Sequence, residues 1–410
     1  WLKTCTSWVE GLLPQHHPGP GLLRLGPGPG ARWSAMFMLR EGLFECCNPA
    51  SLGEPEFLAQ DNHISNRASS NLFTSASGSL KLYFQQWRSD RHQHVRAVVF
   101  VCHGELEHSG WYNALAVRLA SVGCMTFAPD AQGCGQSDGA RGYFESFEDL
   151  VCDYVEFVKL KWAEVLSTKS GGQGAPRPGF VLLGKGSGAL VVMRALTELH
   201  QLAASWGVTP VVVLVSPAFQ FAPFISEQSN VSCGLNSAQC QRQPAAQCAR
   251  APVAFTPVGE GGPYEKLEYM SQWFPKMIVT KPVDPDMVSR DPQTVERMSR
   301  DVLCWRQGYR ARVFAEIVHE QKGMADGIIR AHPEVFQRTP GLILHGNADK
   351  LFAVHGSHFL HSAWCDVAQR SGVFPRLKIY DGAFHQLLNE PNKDEVMNDI
   401  VVFVASKVSN

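Results

Sequence analysis

The stretch Phe180-Val181-Leu182-Leu183-Gly184-Lys185-Gly186-Ser187-Gly188-Ala189-Leu190-Val191-Val192 constrains the fold of this chain more than any other. A short apolar run passes through small residues directly into a second apolar segment. That is the pattern of a buried parallel strand turning sharply into a helix. Strand, elbow and helix in immediate succession predict an α/β protein, because a buried strand feeding a helix is the repeating unit of a parallel sheet covered on both faces.

The same rhythm runs through much of the 410-residue chain. Leu80 to Trp87 alternates apolar and polar residues as an opening strand does, and Ala97 to Cys102 reads as a buried central strand. Cys124 to Ala128, Val211 to Leu214, Leu342 to Leu344 and Leu377 to Tyr380 are further strands, and Ser216-Pro217 ends one of them. Helical spacing covers Tyr112 to Ser121, Phe147 to Leu166, His358 to Arg370 and Asp394 to Val404. Between about 218 and 335 the alternation stops, leaving helical patches at Tyr264 to Phe274, Asp291 to Leu303 and Tyr309 to Gly323. The expected organisation is a core from 72–217 and 336–410 with a mainly helical cap, 218–335, inserted between them. Phe219, Phe221, Phe224 and Trp273 would line a pocket under that cap, or else form the core of an ordinary helical subdomain. Residues 1–71 include Pro/Gly-rich and Ser/Asn-rich stretches without periodicity and predict a poorly ordered extension.

Composition excludes several function classes. A net charge of −1, with no basic cluster interleaved with aromatics, leaves no electrostatic footprint for nucleic acid. No apolar run approaches the roughly 18 residues of a spanning helix, so membrane contact would be at most peripheral. A soluble protein is expected, cytoplasmic or at a membrane surface, with the compartment left open. Twelve cysteines follow no C-x-x-C spacing, and neither a metal nor a cofactor is expected. Cys102, Cys124 and Cys152 lie in apolar patterns and read as buried reduced thiols. Cys233, Cys240 and Cys248 share one polar loop, beside a glycosylation-like triplet at Asn230. The run Gly133-Cys134-Gly135-Gln136-Ser137 lacks the third glycine of a dinucleotide fingerprint and the Lys-Ser/Thr ending of a phosphate loop.

Five local motifs, in order, carry a resemblance. They are His103-Gly104 with Glu107-His108-Ser109-Gly110, Asp130-x-x-Gly133-x-Gly135-x-Ser137, the Leu182-Leu183-Gly184 elbow, His345-Gly346-x-x-Asp349, and Ile379-Tyr380-Asp381-Gly382-Ala383-x-His385. Over roughly residues 72 to 408 the chain resembles the monoacylglycerol lipase family of α/β-hydrolases, with its lysophospholipase-like, esterase-like and serine aminopeptidase-like members. The resemblance implies an α/β-hydrolase fold, a mostly parallel sheet with helices on both faces and a helical cap. It implies Asp349 as the acid that orients His385, His385 as general base, and the backbone N–H groups of Glu105 and Ser187 as the oxyanion hole.

At the elbow the sequence departs from that family, whose turn reads Gly-His-Ser-x-Gly. Here Lys185 stands for the histidine and Gly186 for the serine. Re-centring the turn on Ser187 would put Lys185 where a small residue is needed. Without a hydroxyl at 186 the covalent acyl-enzyme route is closed. Glu105, if its side chain turns inward, would set a carboxylate against an oxyanion. His103 and His108 read either as parts of the site or as loop-shaping hydrogen bonders.

Three readings follow. The chain is a hydrolase scaffold with an impaired site that still takes a small acyl ester or lipid; it is an active serine hydrolase through Ser187, through water activated by His385, or through an elbow serine lost to a gene-model error; or it is a non-catalytic acyl-ligand binding protein.

Overall fold

The computed structural model describes residues 64–66, 71–92, 94–167, 177–222 and 263–408. Most of 1–71, the loop bearing Cys233, Cys240 and Cys248, Asn230 and Phe224 lie outside the described residues. Everything below concerns the compact unit Ala59–Asn410.

Among the described residues nine strands form its centre: β1 Ile64–Asn66, β2 Leu72–Thr74, β3 Lys81–Ser89, β4 Ala97–Cys102, β5 Cys124–Pro129, β6 Gly179–Lys185, β7 Pro210–Val215, β8 Gly341–Gly346 and β9 Arg376–Tyr380. The sheet runs β1-β3-β5-β4-β6-β7-β8-β9, with β2 paired to β3 off this path. From β5 to β9 all pairings are parallel, whereas β3 pairs antiparallel with β5. Strands β5, β7 and β8 are buried along their whole length, which their unbroken apolar runs require when helices cover both faces. Strand β1 falls inside the segment expected to be poorly ordered. Its register against β3, Ser65 opposite Arg88, rests on backbone pairing that apolar periodicity does not reveal.

The flanking helices are α1 Asn113–Ser121, α2 Phe147–Ser167 and α3 Ser187–Trp206, followed after the cap by α7 Val354–Ala368 and α8 Lys393–Lys407. Helices α2 and α3 pack together on one face, α1 and α8 on the other. Within the cap the longer described helices are α4 Pro263–Trp273, α5 Pro292–Arg300 and α6 Ala311–Asp326, followed by short helical turns Ile328–Ala331 and Pro333–Phe336, and α6 lies on α2 and α3. The fold is that of an α/β-hydrolase. Among the described residues no helix is long and apolar enough to cross a membrane.

Two expectations need correction. Phe219 and Phe221 belong to the buried core, where Phe221 stacks on Phe314 and packs against Phe352, while Trp273 is 66% exposed. An aromatic side chain announces that it wants burial but not against what. The cysteines Cys102, Cys124 and Cys152 are free, yet only Cys124 is fully buried; Cys152 lies beside Glu148 on the outer side of α2.

Candidate active site

The elbow is built from backbone first. Gly186 holds φ 55°, ψ −127°, outside the regions that L-residues favour, and this turns the chain from β6 into α3. Its N–H donates to Val215 O at 3.1 Å and its carbonyl accepts from Ala189 and Ala218. At Gly188 any Cβ would collide with the carbonyls of Cys102 and His103, so the helix start can seat against the loop after β4 only without a side chain. Across that seam a Cβ on Gly104 would lie 3.4 Å from Lys185 O.

The loops after β8 and β9 bring Asp349 and His385 together. Asp349 Oδ1 accepts from the backbone N–H of Leu351 (2.8 Å) and Phe352 (3.0 Å). Its Oδ2 receives His385 Nδ1 at 2.9 Å and His345 Nε2 at 3.2 Å, and His345 is oriented by Ser357 Oγ at 2.6 Å. Burial alone would push the Asp349 carboxyl up, but His385 and His345 override it and hold the group well below the usual carboxylate range. An ionised Asp349 keeps the His385 proton on Nδ1 and leaves Nε2 as an acceptor. Ser216, a non-glycine at φ 44°, donates its hydroxyl to His385 O at 2.8 Å and ties this loop to the end of β7.

A Cβ built on Gly186 would lie 3.6 Å from His385 Nε2. Position 186 therefore faces the histidine, and it carries no hydroxyl. Lys185 Nζ approaches the same Nε2 to 3.4 Å. Among the described hydrogen bonds none joins Ser187 Oγ to His385; Ser187 instead opens α3 and contributes its N–H.

That N–H is already engaged. Glu105 turns its side chain inward, so that Oε2 accepts from Ser187 N–H at 3.1 Å and Oε1 accepts from the Tyr309 hydroxyl at 2.7 Å. Its carboxylate thus occupies the Ser187 N–H at the start of α3. Beneath it, Lys185 donates to Glu107 Oε2 at 3.0 Å, with both side chains almost wholly buried. Glu107 also accepts from Gly104 N–H (3.1 Å), Gln386 Nε2 (2.9 Å) and the Tyr112 hydroxyl. Burial works against this carboxylate, but the Lys185 ammonium and those hydrogen bonds hold it down at about 2.

His103 and His108 prove to be loop-shaping. His103 Nε2 accepts from Ala131 N–H (2.9 Å), so its Nδ1 proton goes to Gly104 O (2.6 Å). His108 Nδ1 accepts from Gly110 N–H (3.2 Å), so Nε2–H donates to Asp301 (2.9 Å). His108, Asp301 and Cys304 have ligand atoms within 4.8 Å of one another, a spacing a metal ion could use. The Gly110 N–H argues against it, because it keeps the proton on the nitrogen that would have to bind the metal.

Residues 93–392 match the family described as serine aminopeptidase, S33. The chain belongs to that family. Among curated relatives of this S33-type chain, the monoacylglycerol lipase of Mycolicibacterium smegmatis is 25% identical over 364 residues, covering 84% of this chain and 99% of that one. Human monoglyceride lipase is 25% identical over 316 residues, covering 77% and 84%. Of solved structures, a soluble variant of Saccharomyces cerevisiae monoglyceride lipase in complex with a substrate analogue superposes with TM-score 0.64 at 14% identity, covering 87% of this chain and all of that one. The monoacylglycerol lipase of Paleococcus ferrophilus gives 0.53 at 20% identity, covering 80% and 99%. At such identities the structural likeness establishes the fold.

Beside the elbow the S33-family core encloses a cavity. Apolar side chains such as Phe73, Leu82, Phe144, Val191 and Trp305 line it, together with Glu105, Ser187 and Tyr309. Asp153 of α2 also lines it, with one oxygen accepting from Ala76 N–H (2.6 Å) and the other, Oδ2, buried without a partner. Burial pushes this carboxyl up from 3.8 to about 6, the Ala76 hydrogen bond pulling the other way. Between those values the folded protein holds a proton that the unfolded chain has released, so stability falls as pH rises through the window and stays lowered above it. Asp153→Asn is expected to raise stability by about 1–2 kcal/mol above about pH 7 and by nothing near pH 4. Melting curves across that range check it; an equal gain at both ends would refute the ionisation account.

Sequence reasoning did not reach Lys185 as a network member, nor Glu107, Gln386 or Tyr309. The available signal was Lys185 itself, a charge inside an otherwise apolar strand-to-helix run, which burial obliges to find a counter-ion.

Proposed function

We propose that this chain is a monoacylglycerol lipase-like hydrolase scaffold that takes a small acyl ester or lipid and does not turn it over by the serine route. The observation that carries this reading is the position of Gly186. Its missing side chain would point at His385 Nε2 from 3.6 Å, so the acid and base of a relay are hydrogen bonded and oriented toward a residue with nothing to deprotonate. Two further contacts support it. Lys185 lies against the nitrogen that would accept a nucleophile's proton, and Glu105 covers one of the N–H groups that would stabilise the tetrahedral oxyanion. Of a serine hydrolase's parts, positioned binding and an oriented histidine are kept, while the nucleophile is absent and anion stabilisation is opposed.

Labelling with a fluorophosphonate probe tests this. Such probes phosphonylate a serine only when a base removes its proton. The wild-type protein is expected to remain unlabelled beside an active serine hydrolase control. Labelling that disappears in Ser187→Ala would show that Ser187 is a working nucleophile and would overturn the proposal.

A further inference from the structure

The cavity beside the elbow has an unusual charge inventory for a family whose named members handle acyl chains. Its walls are mainly apolar, yet three carboxyl side chains, Glu105, Asp130 and Asp153, contribute to its lining, and among the described residues no lysine or arginine does. Lys185, a buried cation beside the elbow, is committed to Glu107. His103 is a hydrogen-bonded part of the loop, its ring nitrogens used by Ala131 and Gly104.

Asp130 is satisfied by the backbone N–H groups of Ser109 (2.7 Å) and Gln136 (2.8 Å). Glu105 likewise meets two donors, whereas Asp153 keeps one oxygen without a partner. Glu105 spends one oxygen on Ser187 N–H and the other on Tyr309, the donors that a ligand carboxylate or carbonyl would otherwise find. Asp153 is 7% exposed and leaves Oδ2 unpartnered. Their remaining lone pairs can only accept, and a carboxylate ligand brings only more acceptors and a like charge into a low-dielectric space. A head group that donates hydrogen bonds meets the opposite situation.

Building on the reading of this cavity as a ligand site, we propose that it accepts alkyl ligands whose head donates hydrogen bonds and carries no negative charge, an amine or an alcohol. Glu105 is the residue that turns carboxylates away. Selectivity arises as it does at other sites that reject a partner by an unpaired like charge rather than by a clash. An uncharged glyceride, with hydroxyl donors on its head, satisfies the rule; an ionised fatty acid does not.

The test compares hexylamine, hexanol and hexanoate binding to the full chain at neutral pH, by calorimetry and by ligand-observed NMR. Wild type is expected to bind hexylamine and hexanol at least about tenfold more tightly than hexanoate, the scale of discrimination one unfavourable charge contact produces. Glu105→Ala is expected to raise hexanoate affinity about tenfold or more, because Ser187 N–H and the Tyr309 hydroxyl become free donors. Glu105→Gln, which keeps the side-chain shape and an acceptor oxygen, is expected to fall between and guards against a folding defect in the alanine variant. Hexanoate binding to wild type as tightly as hexylamine, or an unchanged preference in both variants, overturns the charge rule alone. Failure of all three compounds to bind overturns it together with the reading of the cavity as a ligand site.

Discussion

Gly186→Ser is expected to leave hydrolysis of a p-nitrophenyl ester within about tenfold of the wild-type background, and Gly186→Ser/Glu105→Ala to exceed the single variant by about 10²-fold or more. The serine would arrive in good position, since its Cβ lies 3.6 Å from His385 Nε2. It would also arrive 3.2 Å from Glu105 Oε2, which already accepts the Ser187 N–H. A tetrahedral intermediate would then need that N–H while a carboxylate occupies it, and losing a single oxyanion donor costs about 10²–10³ in rate. Both serine variants are expected to be less stable than wild type by about 1–3 kcal/mol, because φ 55° with ψ −127° strains any residue with a Cβ. Steady-state kcat/KM for the two variants decides the matter. Equal activity would clear Glu105 of blame and direct attention to Lys185, which approaches the same nitrogen.

Lys185→Met is expected to cost about 3–5 kcal/mol of stability, the largest single effect foreseen here. The reason is the partner left behind. Glu107 is 2% exposed and, once its ammonium is gone, would be a buried carboxylate facing only neutral donors. In a Glu107→Gln background the same substitution is expected to cost less than about 2 kcal/mol, since no charge remains to be stranded. Urea unfolding of the two single variants and the double variant gives the coupling energy. Additive losses would mean that Lys185 acts through packing and not through its charge.

The strands were legible because a parallel sheet covered on both faces demands uninterrupted apolar runs, and β4, β7 and β8 supply them at the expected places. The elbow was legible for a related reason: close approach leaves room only for glycine, and Gly184 and Gly188 mark both ends of the turn. What could not be read was partnership across sequence distance. Glu107 meets Lys185 across 78 residues and Gln386 across 279, and no local pattern announces either contact. The inward turn of Glu105 was expected only as a condition, because its direction depends on Tyr309, delivered by the cap from 204 residues away. The cap was the least readable part. Phe221 and Trp273 look alike in sequence, yet Phe221 joins the buried cluster shared with the sheet while Trp273 stays exposed.

The seam where α3 seats against the loop after β4 has a consequence for how such a protein can change. Gly188 presses on the carbonyls of Cys102 and His103, and Gly104 lies against Lys185 O, so the relative placement of the two loops is fixed by main-chain atoms that a substitution elsewhere than at these two glycines leaves in place. Shape and reactivity are therefore held by separate parts. The side chain at 105 can be exchanged, and with it the charge of the hollow, while the frame that surrounds it stays the same; at 185 and 186 an exchange also draws on stability, through the buried partner Glu107 and the strained turn. For protein engineering this makes the pocket a receptacle whose contents can be rewritten one residue at a time.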